Sequence, residues 1–229
     1  AYLVQTYDLD GDSHISFYEA ERITSIGWIE SNKLNIKSLQ GIEYMPNLRS
    51  LIVAGDWYDS DDPDSEAANS PYRFTDHVHY HIENGHEWGA IGTLEHVDVS
   101  KNPKLQTLIL FHNPGLGKYQ GTIDLSNNPD LREVDLGCTM LKYPDLSKLG
   151  KLKKLVLSNS VCTEMPDLSA VPQLTYLSLA WPYDVSEYRY PPTFTIDVSM
   201  LPDLETLEVH GAAETLSDLS ANPRLKSLA

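Results

Sequence analysis

Seven times along this chain of 229 residues a short hexad of the form LxxLxL, or a close variant, recurs behind the same prelude. LREVDL, LKKLVL and LTYLSL begin at Leu131, Leu152 and Leu174, which sets a period of about 21 residues. LRSLIV (48–53), LQTLIL (105–110), LETLEV (204–209) and LKSL (225–228) are further copies, and Leu204 to Leu225 repeats the same interval. ITSIGW (23–28) fits as a degenerate first copy. A fixed period of this length is the mark of a solenoid, because one coil cannot bury its apolar face alone and must stack on neighbours. Within LxxLxL the fourth and sixth positions alternate as a strand does, so the leucines face inward and the residue between them outward. Stacked copies then form a parallel sheet with strands about 4.8 Å apart. The expected fold class is an α/β solenoid with a mostly irregular side opposite the sheet.

The prelude is as regular as the hexad. Seven residues before the anchor leucine stand Asp98, Asp124, Asp145, Asp167, Asp197 and Asp218, with Gly41 as the exception. Five before it stand Ser100, Ser126, Ser147, Ser169, Ser199 and Ser220, with Glu43 as the exception. Two before it stand Pro46, Pro103, Pro129, Pro172, Pro202 and Pro223, with Gly150 as the exception. Proline presets the φ of the segment entering the strand and needs no donor there. The Asp-x-Ser pair is expected to tie the return turn through Asx-type hydrogen bonds. Six stacked aspartates would otherwise repel, so their carboxylates should accept amide hydrogens. Part of the acidic balance is therefore architecture.

The N-terminal stretch DLDGDSHISFYE has a different logic. Counted from Asp8, loop positions 1, 3 and 5 are Asp8, Asp10 and Asp12. Position 7 is His14, which would offer its backbone carbonyl; position 9 is Ser16 and position 12 is Glu19. This is the oxygen spacing with which an EF-hand loop wraps calcium and closes on a bidentate glutamate. Ile15 is the apolar anchor, and FYEAERITSI reads as the exiting helix. Ser13 stands where glycine usually supplies a positive φ, and no second loop of the kind is present. The plain alternative is an acidic turn that caps a helix. The segment 1–25 is thus read as a calcium loop and N-terminal cap, with the repeat domain over 23–229. A solenoid needs its raw ends covered, and the metal would order a segment with little core of its own. The far end shows no cap in LKSLA, which leaves a strand edge open to pairing.

Composition narrows the partners. There are 33 acidic and 17 basic residues, a formal charge of −16. Such a surface repels phosphate backbones and anionic lipid, which argues against nucleic acid and membrane surfaces. No apolar run approaches the length that a membrane-spanning helix needs, so no membrane insertion is expected. Ala1 stands where an initiator methionine would, which leaves room for a removed leader. Cys138 and Cys162 have no zinc-type spacing, and their separation exceeds one repeat period, so they should not stack into a bridge. In register, Cys162 should be buried and Cys138 should lean outward.

The outward strand residues run from Ser50 and Ile52 through Thr107, Ile109, Phe111, Glu133, Asp135, Lys154, Val156 and Ser158 to Tyr176, Ser178, Thr206, Glu208 and His210. They mix apolar, acidic and hydroxyl groups. Insertions break the period at about 55–92 and 181–194. The interval from Leu48 to Leu105 exceeds two periods, which reads as two long repeats with DHVHYHIEN (76–84) as the missing strand. His77, His79 and His81 would then point outward, and a His-x-His pair on a strand can chelate zinc or copper. The second insertion, WPYDVSEYRYPPTF, concentrates aromatics. Loops on a rigid scaffold often carry recognition, and Tyr and Trp are favoured anchors. Candidate partner-binding residues are Phe111, Tyr176, Trp181, Tyr183, Tyr188, Tyr190 and His210.

The xDLSxNPxLxxLxL form resembles leucine-rich-repeat proteins, and in particular the surface or secreted members from gut Bacteroidetes, in which a loop like DLDGDSHISFYEAE precedes a sequence like LQGIEYMPNL (39–48). The resemblance implies a horseshoe with a parallel concave sheet and a short helical cap. It also implies secretion or surface lipoprotein anchoring through a removed N-terminal segment, and recognition of a protein partner without catalysis. A carbohydrate-binding protein is the alternative. A metal-dependent hydrolase built on the histidine strand is weaker, since GxSxG, HExxH and a phosphate-cradling glycine loop are all missing from the chain.

Overall fold

A computed structural model describes residues 2–59, 78–83, 86–90, 92–157, 165–180, 194–210 and 213–229. Two short helices, α1 (Tyr2–Tyr7) and α2 (Phe17–Ala20), precede the strands. These are β1 (Ser25–Glu30), β2 (Ser50–Ala54), β3 (Trp57–Asp59), β4 (Val78–Glu83), β5 (His86–Ala90), β6 (Thr107–Ile109) and β7 (Glu133–Asp135), then β8 (Lys154–Val156), β9 (Tyr176–Ala180), β10 (Phe194–Ile196), β11 (Thr206–His210), β12 (Ala213–Leu216) and β13 (Ser227–Leu228). Eight of them form one parallel sheet in the order β1-β2-β6-β7-β8-β9-β11-β13. The chain is a leucine-rich-repeat solenoid, as its period requires.

Register follows the repeat. Ser50 pairs with Thr107, Thr107 with Glu133, Glu133 with Lys154, Lys154 with Tyr176 and Tyr176 with Thr206. The anchors Leu48, Leu105, Leu131, Leu152, Leu174 and Leu204 are all fully buried, as are Leu51, Leu108, Val134, Leu155, Leu177 and Leu207 behind the sheet. Each strand residue between them is only half-buried at Ile52, Ile109, Asp135, Val156 and Glu208; Ser178 is the exception and is buried. Backbone hydrogen bonds continue between coils ahead of the strands, as from Arg132 N–H to Gln106 O at 2.8 Å and from Lys153 N–H to Arg132 O at 2.7 Å.

The prelude closes the opposite side. All six aspartates accept the amide hydrogen of the serine two residues on, at 2.8 to 3.0 Å. These bonds hold the six carboxyls below the usual aspartate range. The serine amide is the largest cause at five of them, and the serine hydroxyl at Asp167. Two turns follow in series: Asn128 N–H donates to Leu125 O at 3.0 Å and Leu131 N–H to Asn128 O at 3.1 Å, a pattern repeated in every coil.

The residue three before the anchor faces inward and is either aliphatic, as at Leu149, Val171 and Leu201, or asparagine, as at Asn102, Asn128 and Asn222. Each asparagine sends its Nδ2 into the preceding coil. Asn128 reaches Val99 O at 3.0 Å and Asn102 O at 2.9 Å, and Asn222 reaches Val198 O and Leu201 O at 2.8 Å. Their Oδ1 atoms find no partner among the described residues. An orphaned buried acceptor offsets part of what the two donated bonds contribute.

The stretch 76–84 does not supply a strand to the parallel sheet, contrary to its reading as a missing repeat. β2 pairs directly with β6, while β4 pairs antiparallel with β5, and β5 with β3, in a separate three-stranded sheet. Leu48 to Leu105 is therefore one coil carrying one insertion. The overlooked signal is Asn84-Gly85, the dipeptide that two-residue hairpins favour, between the two strands. The insertion leaves the coil at Gly55 and rejoins it at Gly92, where the two backbones are pinched together against His112. A β-carbon on Gly55 would lie 1.9 Å from His112 O and 2.5 Å from the Gly92 Cα, so no other residue fits there. Cys138, expected to lean outward, is buried. It sits at φ 57°, a left-handed backbone that turns its side chain under the coil. Cys162 lies outside the described residues.

Leu155→Ala should cost about 2–5 kcal/mol of stability, the range for cavities of this kind. Asn128→Ala should cost about 1–3 kcal/mol, because two buried carbonyls of the preceding coil lose their donor. Urea unfolding curves measure both, with a lowered midpoint expected in each.

Candidate functional site

Two surfaces carry groups suited to binding: the N-terminal loop and the concave face of the sheet. The loop is held between α1 and α2 by its own polar groups. Gly11 N–H and Ser13 N–H donate to the two Asp8 oxygens at 2.7 and 2.8 Å, and Asp12 N–H donates to Asp10 Oδ1 at 3.2 Å. Ser13 takes the left-handed φ of 68° that glycine usually supplies at this position, and Gly11 takes 77°. Ser16 caps α2 with its hydroxyl, and Glu19 reaches back to the Ser16 amide at 2.8 Å, completing a capping box. The other Glu19 oxygen accepts Leu9 N–H at 2.6 Å.

Of the six residues read as metal ligands, the fold brings together the carboxylates of Asp8, Asp10 and Glu19, with oxygens all within 4.8 Å of one another. Asp12 is turned aside, its Oδ1 accepting His14 N–H at 2.8 Å, and the His14 ring lies beside Asp12 O at 3.0 Å. The Ser16 hydroxyl is engaged with Glu19 at 2.7 Å. Glu19 is buried, and its carboxyl is pulled from the usual value near 4.5 down to about 2, first by Leu9 N–H and then by Ser16. An all-oxygen, carboxylate-rich donor set of this kind fits a hard cation.

The concave face has two zones. At the first strands it is apolar. β1 pairs with β2 through Ser25–Ser50 and Ile26–Leu51, then Ile29–Val53, so Gly27 and Trp28 together oppose Ile52. This bulge keeps both Ile26 and Ile29 in the core and turns Trp28 out, 60% exposed. Trp28 meets the ring of Phe111 edge-on at 5.4 Å, and Ile52 and Ile109 flank them half-buried. Further along, the face is charged. Lys154 pairs with Glu133 at 2.8 Å and lies 5.4 Å from the centre of the Tyr176 ring. The Tyr176 hydroxyl donates to Glu208 at 2.5 Å, and burial, with Glu208 beside it, raises the phenol. Asp135 sits among these strands; burial pushes its carboxyl up to about 6 against the opposing pull of Gly137 N–H and Lys154.

Of the residues read as partner-binding, Phe111 and Tyr176 lie on this face, one in each zone. His210 ends β11, and its side chain lies outside the description, as do Trp181, Tyr183, Tyr188 and Tyr190. His79 and His81 belong to β4, where a register shift falls between them, while His77 lies outside the described residues. Trp28 was missing from the sequence reading. Its signal was the spacing of Ile26 and Ile29, three residues where the alternation calls for two.

No protein-family model matches the chain, and no curated protein matches it. Solved structures do. The chain is similar to an internalin (inlF) from Listeria monocytogenes, with a TM-score of 0.57 and 19% identity over 99% of this chain and 52% of that one. It is also similar to an internalin C2 (inlC2) from the same organism, with a TM-score of 0.55 and 15% identity over 100% of this chain and 84% of that one. The chain thus spans about half the length of the first. The likeness is one of fold, a leucine-rich-repeat solenoid. Among the described residues no helix is long and apolar enough to cross a membrane.

Because the folded Glu19 carboxyl lies below its unfolded value, its contribution to the cap is fully present above about pH 4.5 and is lost as pH falls through about 2. The Leu9 and Ser16 amide resonances should therefore titrate with a midpoint near 2. A midpoint near 4.5 in an NMR titration would show that the glutamate is not held by these donors.

Proposed function

We propose that the chain is a non-catalytic recognition module of the cell surface or secreted space, binding a protein partner through its concave face and the aromatic loops around it. The supporting observation is the exposed Trp28–Phe111 pair at the head of an eight-stranded sheet whose inward residues Ile26, Leu51, Leu108, Val134, Leu155, Leu177 and Leu207 are buried. A sheet presents such anchors on backbone that is already ordered, and large aromatics in a half-apolar setting dominate binding energy. The fold likeness to internalins agrees with an interaction module. Trp28→Ala and Phe111→Ala, tested together against extracts of host and bacterial surfaces, should remove the captured protein while leaving the melting midpoint within about 2 °C. Retention of a saccharide on a glycan array, lost in the same double variant, would instead favour a carbohydrate ligand.

We also propose that the N-terminal loop holds calcium through Asp8, Asp10, Asp12, the His14 carbonyl, Ser16 and Glu19, as part of the solenoid cap. Asp12 and Ser16 would have to exchange their present hydrogen bonds for the ion, which points to the weak, millimolar range of extracellular modules. Calcium binds the folded state, so at about 100 times its dissociation constant it should add about 2.7 kcal/mol to stability. Calorimetric titration should show binding to the wild type and none to Asp8→Ala, and chelator should lower the melting midpoint of the wild type alone. No heat at millimolar calcium would remove the metal from the account.

A further inference from the structure

We propose that the segment recognised by the concave face is basic, with an apolar anchor seated on Trp28, Ile52, Ile109 and Phe111 and Lys or Arg side chains reaching Asp135 and Glu208. This rests on the concave face being the recognition surface, and it adds the chemistry of the partner.

The charge balance of the face carries the inference. Among the described outward strand residues there are four carboxylates, Glu30, Glu133, Asp135 and Glu208, and one cation, Lys154. Lys154 is committed to Glu133, and Glu30 pairs with Lys33 beyond the end of its own strand. Neither Asp135 nor Glu208 has an ion-pair partner among the described residues. Among the described residues Glu208 has the Tyr176 hydroxyl as its hydrogen-bond partner and Asp135 the Gly137 amide at 2.9 Å, with Lys154 acting on Asp135 through space without forming an ion pair. A carboxylate half withdrawn from water with no cation paired to it is costly. The raised Asp135 carboxyl is the sign of that cost. An incoming ammonium or guanidinium would supply the missing charge where the local dielectric makes it count. The whole chain, at −16, draws such a segment in from a distance. The hydroxyls of a neutral sugar would hydrogen-bond these two carboxylates but leave their charge uncompensated, and an anionic sugar is repelled by them.

The spacing sets the register of the segment. Asp135 is one strand from Ile109, and Glu208 is four strands away along β6-β7-β8-β9-β11. At about 4.8 Å per strand the second span is about 19 Å, which an extended chain covers in about six residues. The partner should therefore carry one cation close to its anchor and another about six residues from it.

Panning a random twelve-residue peptide library displayed on phage against the whole chain tests this. Enriched sequences should pair an aromatic or aliphatic residue with Lys or Arg at those separations. A synthetic peptide of the leading sequence should bind the wild type and weaken at least about tenfold against Trp28→Ala and against Glu208→Gln. Both variants alter exposed or half-exposed side chains and should keep the wild-type melting midpoint, and replacing the peptide's cations by Glu should abolish binding. Enrichment of neutral or acidic sequences that still depend on Trp28 would overturn the basic partner and leave the concave reading standing. Basic peptides that bind both variants undiminished would sink the concave reading with it. No enriched sequence at all would overturn a polypeptide partner of this kind.

Discussion

Everything in this molecule depends on one coil stacking on the next. A single turn of the repeat presents its leucines to nothing, and its strand has hydrogen-bonding groups open on both edges. Laid on a neighbour, both deficits close together. Leu131, Leu152 and Leu174 bury one another, and the backbone of Lys153 and Lys154 bonds to the carbonyl of Arg132. Stability is therefore approximately a sum of coil and interface contributions. The same stacking brings like charges into rows. Asp124 works against the ionisation of Asp98, and Asp167 against that of Asp145. The serine amides and hydroxyls answer this, so a row of carboxylates becomes a series of turn caps.

The stacking also explains where the chain tolerates irregularity. Between coils every residue must match its neighbour, so the insertion at 55–92 is admitted only through a neck two glycines wide. Asn113 fastens that neck from beneath. Its Nδ2 binds Val53 O and Leu110 O at 2.9 Å, while its Oδ1 accepts from Ser31 at 2.6 Å and from Leu94 N–H at 3.2 Å. Thr139 occupies the same position one coil on, and its hydroxyl donates to Leu136 O at 2.7 Å. An inserted segment thus departs from a rigid base, which is the condition for a loop to recognise anything reproducibly.

The other consequence of stacking is a broad sheet face left open. Its residues are free of the packing constraint, so they vary widely in chemistry from coil to coil. The variation is ordered, with an apolar cluster of Trp28, Ile52, Ile109 and Phe111 at β1, β2 and β6 and the charged groups Glu133, Asp135, Lys154 and Glu208 on β7, β8 and β11. The N-terminal loop belongs to the same logic. Among the described residues no strand pairs with the outer edge of β1, and α2 packs there with Glu19 and Ala20 buried.

Periodicity and turn chemistry are local, and so the sequence by itself determined the coil, the inward leucines, the Asp-x-Ser turns and the acidic loop. A period read along the chain needs no knowledge of distant partners. Only the tertiary structure decided what depends on pairings far apart. The bulge that exposes Trp28 exists because Ile26 and Ile29 must both face Leu51 and Val53. The antiparallel sheet of β3, β4 and β5 exists because β6 already occupies the edge of β2 that a histidine strand would need. The commitment of Lys154 to Glu133, which leaves Asp135 and Glu208 without an ion-pair partner among the described residues, is set by strand register between neighbouring coils and can be read from no single repeat.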